Sequence, residues 1–462
     1  MRKTALQLAA VLFMSSAPPA SAQIFGPVGG EFRVNSTTAG VQGEPSVIFG
    51  GLGPDFVIVW TSPDGDGGGI SGRGFDDQGT PGSEFRVNTI TTGDHHAATI
   101  AGASLPNLQF HSFVVYQRDV AAGNEVFARR YSGSTPDSDV FQVGSGTSSN
   151  DLSPRAAGDS SANFVAVWNQ DGTVMGQRYD SSGAELGTAF AAGTALVNTG
   201  VRVARAPGGD FLVTWISETN AITAQRYHAS GAALGGSFRV NAVTGFSILD
   251  SAVSMIDSQF VVTWTLDGAD PDLRARVYDS SGSTIRTEFA VSLYTTGSRS
   301  HPDVAMDGAG GFVVVWEDDG DRDGGGGVPA GSIWAHRFDA AGQPVSGEFR
   351  VNTTAAGDQL APRVANFGGS FIVVWQGNGN AGPSEIYAQR YCANKGGDAN
   401  GSGAIDIADV FYLINYLFAA GPSPAMKCDV NDDGTTDIAD VFYLINFLFA
   451  GGPSPACNVL VH

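Results

Sequence analysis

Two stretches near the C-terminus place oxygen-bearing side chains at the spacing a hard cation requires. The first places Asp398, Asn400, Ser402, Asp406 and Asp409 at positions one, three, five, nine and twelve of a twelve-residue loop. The second repeats it with Asp429, Asn431, Asp433, Asp437 and Asp440. Each loop has glycine at its sixth position (Gly403, Gly434) for a sharp turn, and its seventh residue (Ala404, Thr435) offers a backbone carbonyl. Such a ring of oxygens suits Ca²⁺, so two calcium ions are the expected cofactors. Between residues 393 and 462 there are eight Asp against two Lys, a net of −6. Carboxylates this crowded repel one another unless a cation sits among them.

Other candidates for chemistry are weaker. The run Asp319-Gly320-Asp321-Arg322-Asp323-Gly324 begins like a calcium loop, but its twelfth position is Ala330, so the closing carboxylate is missing and a solvated hairpin turn is expected. His95-His96 offers two imidazoles, yet adjacent side chains on a strand diverge, and a surface loop is the expected home. Glu317-Asp318-Asp319 reads as a wet, charged loop rather than an acid/base pair. The sequence holds no H-E-x-x-H, no G-x-S-x-G and no phosphate-binding loop. No catalytic residue and no organic cofactor is assigned.

The elements around the two loops are helical. Val410 to Phe418 and Val441 to Phe449 follow loops one and two, and Val410, Phe411, Leu413, Ile414 and Leu417 fall at helical spacing as an expected apolar face. Gly421-Pro422-Ser423-Pro424 and Gly452-Pro453-Ser454-Pro455 stop the helices. No helix precedes either loop, Asp stands at position twelve, and Asp-Val-Phe-Tyr-Leu-Ile-Asn is duplicated. These features closely resemble a type I dockerin, a paired calcium-loop-and-helix (F-hand) module. The resemblance implies the twelve loop residues named above as calcium ligands and a cohesin module as partner, in assemblies that degrade plant polysaccharide. It also implies a recognition dyad at loop positions ten and eleven, here Ile407-Ala408 and Ile438-Ala439. Three cysteines, Cys392, Cys428 and Cys457, leave the connectivity open. The module's two-fold pseudosymmetry favours Cys392 with Cys457.

The rest of the chain is a repeat. Glu-Phe-Arg-Val-Asn occurs at 31–35, 84–88 and 348–352, and Ser-Phe-Arg-Val-Asn at 237–241. Each unit then has a short apolar segment, an apolar run ending in an aromatic, a Gly/Asp-rich turn, and a strand such as Gln225-Arg226-Tyr227. The closing aromatics Trp60, Tyr116, Trp168, Trp215, Trp264, Trp316 and Trp375 are 56, 52, 47, 49, 52 and 59 residues apart. Seven units of four short strands make a mainly β protein, a seven-bladed β-propeller with four-stranded blades. The last unit lacks its own Phe-Arg-Val-Asn strand, so the copy at 31–35 is expected to complete it and close the ring. Repeated residues are read as packing, and any site must lie where the pattern breaks.

Met1-Arg2-Lys3, an apolar Ala5–Met14 and Ala20-Ser21-Ala22 read as a signal peptide cleaved before Gln23. The expected domains are therefore 1–22 signal peptide, 23–392 propeller and 393–462 calcium module, in a secreted protein without membrane insertion. A net charge of −21 argues against nucleic acid. The reading is a non-catalytic propeller that recognises a glycan or protein and is displayed by calcium-dependent docking. A carbohydrate-active enzyme delivered by the same module, and an extracellular adhesion or matrix protein, are the alternatives.

Overall fold

The repeat residues build strands because each has a fixed job in a blade. In the computed structural model of the chain, the described residues are 25–50, 55–76, 79–104, 110–133, 135–143, 153–196, 199–268, 272–294, 297–319, 331–378, 382–392, 397–400, 405–424, 428–431, 433, 435–452 and 455. They form two compact units, residues 27–392 and residues 393–458.

The larger unit is a seven-bladed propeller of antiparallel four-stranded sheets, with the pair Thr135–Pro136 added to the second blade. Blade one runs through Gly43–Phe49, Phe56–Pro63, Gly68–Phe75 and Pro81–Arg86. Blade seven takes three strands from the end of the repeat, Gln359–Phe367, Ser370–Gly377 and Glu385–Cys392, and its fourth from Gly26–Arg33 at the N-terminus. The expected closure is present. The first strand of every blade packs against the first strands of both neighbours, so these seven strands surround the axis.

The motif Glu-Phe-Arg-Val-Asn is structural throughout. Its Val is buried in each copy (Val34, Val87, Val240, Val351). Its Asn extends the sheet ladder by side chain: Asn88 Oδ1 accepts from the Ile70 amide at 2.8 Å, Asn352 Oδ1 from Ile333 at 2.8 Å, and Asn35 Oδ1 from Ile386 at 2.8 Å. Its Glu straps one blade to the previous one. Glu84 accepts from Ser36 and Thr37, while Glu31 accepts from the Thr353 amide at 2.6 Å and the Thr354 hydroxyl at 2.8 Å. Glu31 therefore ties the N-terminal strand into blade six, as an internal copy would. The second-strand Phe stacks on the third-strand aromatic, as in Phe211–Tyr227 and Phe371–Tyr391, each with centroids 4.8 Å apart. Such pairs contribute about 0.5–1.5 kcal/mol beyond burial.

The smaller unit contains helices α1 (Ile407–Ala419) and α2 (Ile438–Ala450), which pack through Val410, Leu413, Val441 and Leu444 with Ala399, Cys428 and Val430. Burial pushes the Cys428 thiol up to about 12. Cys392 is disulfide-bonded while Cys428 stays a thiol; Cys457 lies outside the described residues. No helix among the described residues is long and apolar enough to cross a membrane.

Candidate functional site

Each helix of the small unit starts on the end of its acidic loop, and the same residues serve both. Asp406 caps α1 by accepting from the Ala408 amide at 2.7 Å, and Asp409 reaches back to accept from the Asp406 amide at 2.9 Å. Asp437 and Asp440 repeat this box on α2 at 2.7 and 2.8 Å. A carboxylate at the cap and another three residues on satisfy amides that the helix leaves open. Asp440 Oδ1 also accepts from the Val430 amide at 2.7 Å, and Asp409 Oδ1 from Asn400 at 3.1 Å. The twelfth residue of each loop thus pins the loop's beginning to its helix.

Asp398, Asp409, Asp429 and Asp440 are buried. Burial, then the neighbouring carboxylates Asp398 and Asp406, push the Asp409 acid above its ordinary value; burial and Asp429 do the same to Asp440. Among the described residues no Lys, Arg or His forms an ion pair with Asp409 or Asp440. In loop two Asp433 accepts from the Thr435 amide at 3.0 Å, its hydroxyl at 2.8 Å and the Asn431 side-chain amide at 2.9 Å, which holds the Asp433 acid low. The loop oxygens are turned to the loop's own donors, and among the described residues no three carboxylates converge on one metal-sized position. The donor set, all oxygen and acidic, still fits a hard divalent cation. Ser402 and Ala404 lie outside the described residues.

The expected apolar face needs correction. Val410 and Leu413 are buried and Leu417 is partly so, but Phe411 is 64 % and Ile414 36 % exposed. A thirteen-residue helix rich in apolar residues has two stripes, and periodicity does not say which one is covered. Ile407, Phe411, Ile414 and Phe418 form the uncovered stripe of α1; Ile438, Phe442, Ile445 and Phe449 form that of α2. Ile407 and Ile438 are each 43 % exposed, and Ala408 and Ala439 are exposed beside them. The face expected from helical spacing therefore divides: Val410, Leu413 and Leu417 turn to the core, while Phe411 and Ile414 join the uncovered stripe.

The propeller candidates also move. His95 and His96 lie on the strand Asp94–Ser104, not on a surface loop. His95 is buried, its Nδ1 3.1 Å from the Gly68 carbonyl, and burial lowers its pKa. His96 turns outward to Asp119 at 3.1 Å. Glu317 and Asp318 end a strand and are buried rather than wet. Asp318 faces the buried Arg299 at 3.5 Å. Glu317 accepts from the Ala361 amide of the next blade and from Ser300 at 3.1 Å, and lies 3.0 Å from His301 Nδ1. Asp319 accepts from the Ser298 amide, while residues 320–330 lie outside the described residues. Unnoticed in the sequence were Arg155, Arg202 and Arg363, which occupy one equivalent position on the axial strands of three blades. Aligning the units on their closing aromatics would have exposed them.

No curated protein matches this chain. Its fold is similar to that of a protein of unknown function from Dyadobacter fermentans, at 10 % identity and TM-score 0.50 over 80 % of this chain and 99 % of that one. Also similar are the Aleuria aurantia lectin (14 %, TM-score 0.44, 68 % and 97 %) and the NanB sialidase of Streptococcus pneumoniae (9 %, TM-score 0.43, 83 % and 71 %). Residues 396–449 match the dockerin type I domain. Two acidic loops, each feeding a capped helix, packed about a shared core at those residues mark the C-terminal segment of this propeller protein as a type I dockerin domain.

Proposed function

We propose that the protein is an exported, non-catalytic recognition propeller held in an extracellular complex by calcium-dependent docking of its dockerin onto a cohesin module, in the context of polysaccharide breakdown. The supporting observation is the pair of matched uncovered stripes, Ile407–Phe418 and Ile438–Phe449, neither of which contributes to the module's described apolar core. Residues 1–22 serve as the signal peptide in this reading, residues 23–392 as the recognition domain and residues 393–462 as the docking module.

Two calcium ions would be held by Asp398, Asn400, Ser402, Ala404, Asp406 and Asp409, and by Asp429, Asn431, Asp433, Thr435, Asp437 and Asp440. Bound calcium would place positive charge among the buried carboxylates. The protein's own part is to fix the loop to its helix: Asp409 and Asp440 hold the loop start, and Asp406 and Asp437 hold the first helical turn.

Because the two stripes are equivalent, either helix can meet one partner after half a turn of the module. Ile407→Asp and Ile438→Asp are each expected to lower affinity only about twofold, ~0.4 kcal/mol, while the double variant loses binding. Titration of a purified cohesin module against the four proteins in calcium decides this. Abolition of binding by one single substitution would show that one face alone docks.

A further inference from the structure

In a ring of similar blades, function resides where one blade differs from the next. The axial strand of each blade has one residue opposite the position just before the closing aromatic. The outer member of that pair is always Val or Thr: Val59, Val115, Val167, Thr214, Thr263, Val315, Val374. The axial member varies. It is Arg155, Arg202 and Arg363 in blades three, four and seven, Asp303 in blade six, and the small residues Ser46, Thr99 and Ala252 in the others. In blades one, two, six and seven a bulge precedes this residue, with Glu44 (φ 50°), Ala97 (φ 53°), His301 (φ 50°) and Ala361 (φ 51°) in the left-handed region. Non-glycine residues adopt that region at a cost of about 1–2 kcal/mol, and bulges of this kind re-aim side chains.

The three arginines share one conformation. Each donates from Nη1 to the carbonyl just before it: Arg155 to Pro154 at 2.8 Å, Arg202 to Val201 at 3.0 Å, Arg363 to Pro362 at 2.8 Å. All three stand at the same register on the strands that surround the axis. The Arg155 guanidinium is pushed down to about 9 by burial, then by Arg202 from the adjacent blade and Arg363 from the far side of the ring, against weaker help from Asp250 and Glu44. Arg202 has Asp250 at 2.5 Å, but among the described residues neither Arg155 nor Arg363 forms an ion pair. Asp303 accepts from the Val364 amide at 2.9 Å, and His301 with its Glu317 partner feels Asp250 and Arg363 at the same mouth. Crowded guanidinium groups, which do not readily lose their proton, call for an anion.

We propose that the axial mouth of the propeller binds a carboxylate between Arg155 and Arg363, with Arg202 held in reserve by Asp250, and that the propeller's ligand is an acidic, hydroxyl-rich molecule of the uronic-acid class. This rests on the reading of the propeller as a recognition domain and gives that domain its ligand chemistry. A planar carboxylate matches the guanidinium fork. The nearby Asp250, Asp303, Glu44 and Glu317, and a chain charge of −21, favour one negative charge over a polyanion. Ser46, Thr99, Asp303 and Ala252 complete the ring: Ser46 accepts from the Ile100 amide at 3.2 Å and Thr99 donates to the Pro154 carbonyl at 3.3 Å, which leaves a donor on Ser46 and acceptors on Thr99 and Asp303 for hydroxyl groups.

The test uses the full chain in calcium, with galacturonic acid as probe and galactose as its neutral counterpart. Calorimetry is expected to show binding of the acid and not of galactose. Arg155→Gln and Arg363→Gln should each weaken that binding about tenfold or more, while their ligand-free melting temperatures stay level with the parent or rise as like charges are separated. The proposal is overturned if galacturonic acid does not bind, if galactose binds equally, or if the variants bind the acid like the parent. Lower melting temperatures with unchanged binding would make the arginines structural struts. Equal retention of parent and variants on one polysaccharide would leave the recognition reading intact and remove only the anion site.

Discussion

His301 sits half-exposed at the start of an axial strand, its Nδ1 3.0 Å from Glu317. The hydrogen bond to Glu317 raises the His301 pKa against the opposing effect of burial. Burial raises Glu317, but His301, the Ala361 amide and Ser300 together outweigh it and leave that acid lowered. A raised imidazole contributes stability that is complete below its unfolded value and is lost as pH climbs through its folded one; a lowered carboxylate contributes above its unfolded value and loses this as pH falls. His301→Gln should therefore lower the melting temperature more at about pH 6 than at about pH 9. An equal loss at both would mean the pair contributes nothing through charge. Residues of this kind were hard to read from sequence. Glu317 follows a closing aromatic and precedes an Asp/Gly-rich turn, the composition of a loop, and only the register with the next blade shows that it caps the Ala361 amide. The repeated Phe and Val of the motif were legible as structural, because no single site needs the same side chain in every blade; that Glu31 and Glu84 strap neighbouring blades shows only in the hydrogen bonds.

At the scale of elements, closure and helix ends carry the tests. Gly26–Arg33 supplies the outer strand of blade seven, with Val34 donating to the Ile386 carbonyl at 2.7 Å and Glu31 bonded into blade six. Deleting residues 23–36 should expose an edge strand and destabilise the propeller by more than about 2 kcal/mol; a variant that melts like the parent would refute the closure's role. Helix α1 ends at Ala420 with φ 55°, where α2 has Gly451 with φ 68°. Ala420→Gly should stabilise the calcium-free module by about 0.5–1 kcal/mol, measured as a higher denaturation midpoint for the module's transition alone. The strand count was legible because spacing and copy number agreed. The helix faces were not, since Phe411 and Leu413 are equally apolar and only packing against α2 covers one of them.

At the scale of the whole molecule the chain couples two units with different needs. The blades of the propeller pack through apolar clusters, and the N-terminal strand completes the ring. Among its described residues the dockerin has a seven-residue buried core and four buried carboxylates, so its fold should depend on cation binding. Chelation is expected to remove one thermal transition, the module's, and to leave the propeller's unchanged; simultaneous loss of both would show that the units unfold together. The central claim, that calcium arms the docking face, is tested most directly by titrating a purified type I cohesin module against the intact chain, first in calcium and then in excess chelator. Saturable binding in calcium that vanishes in chelator, with the propeller's melting transition retained, is the predicted result. Cohesin binding that persists undiminished in chelator would contradict it.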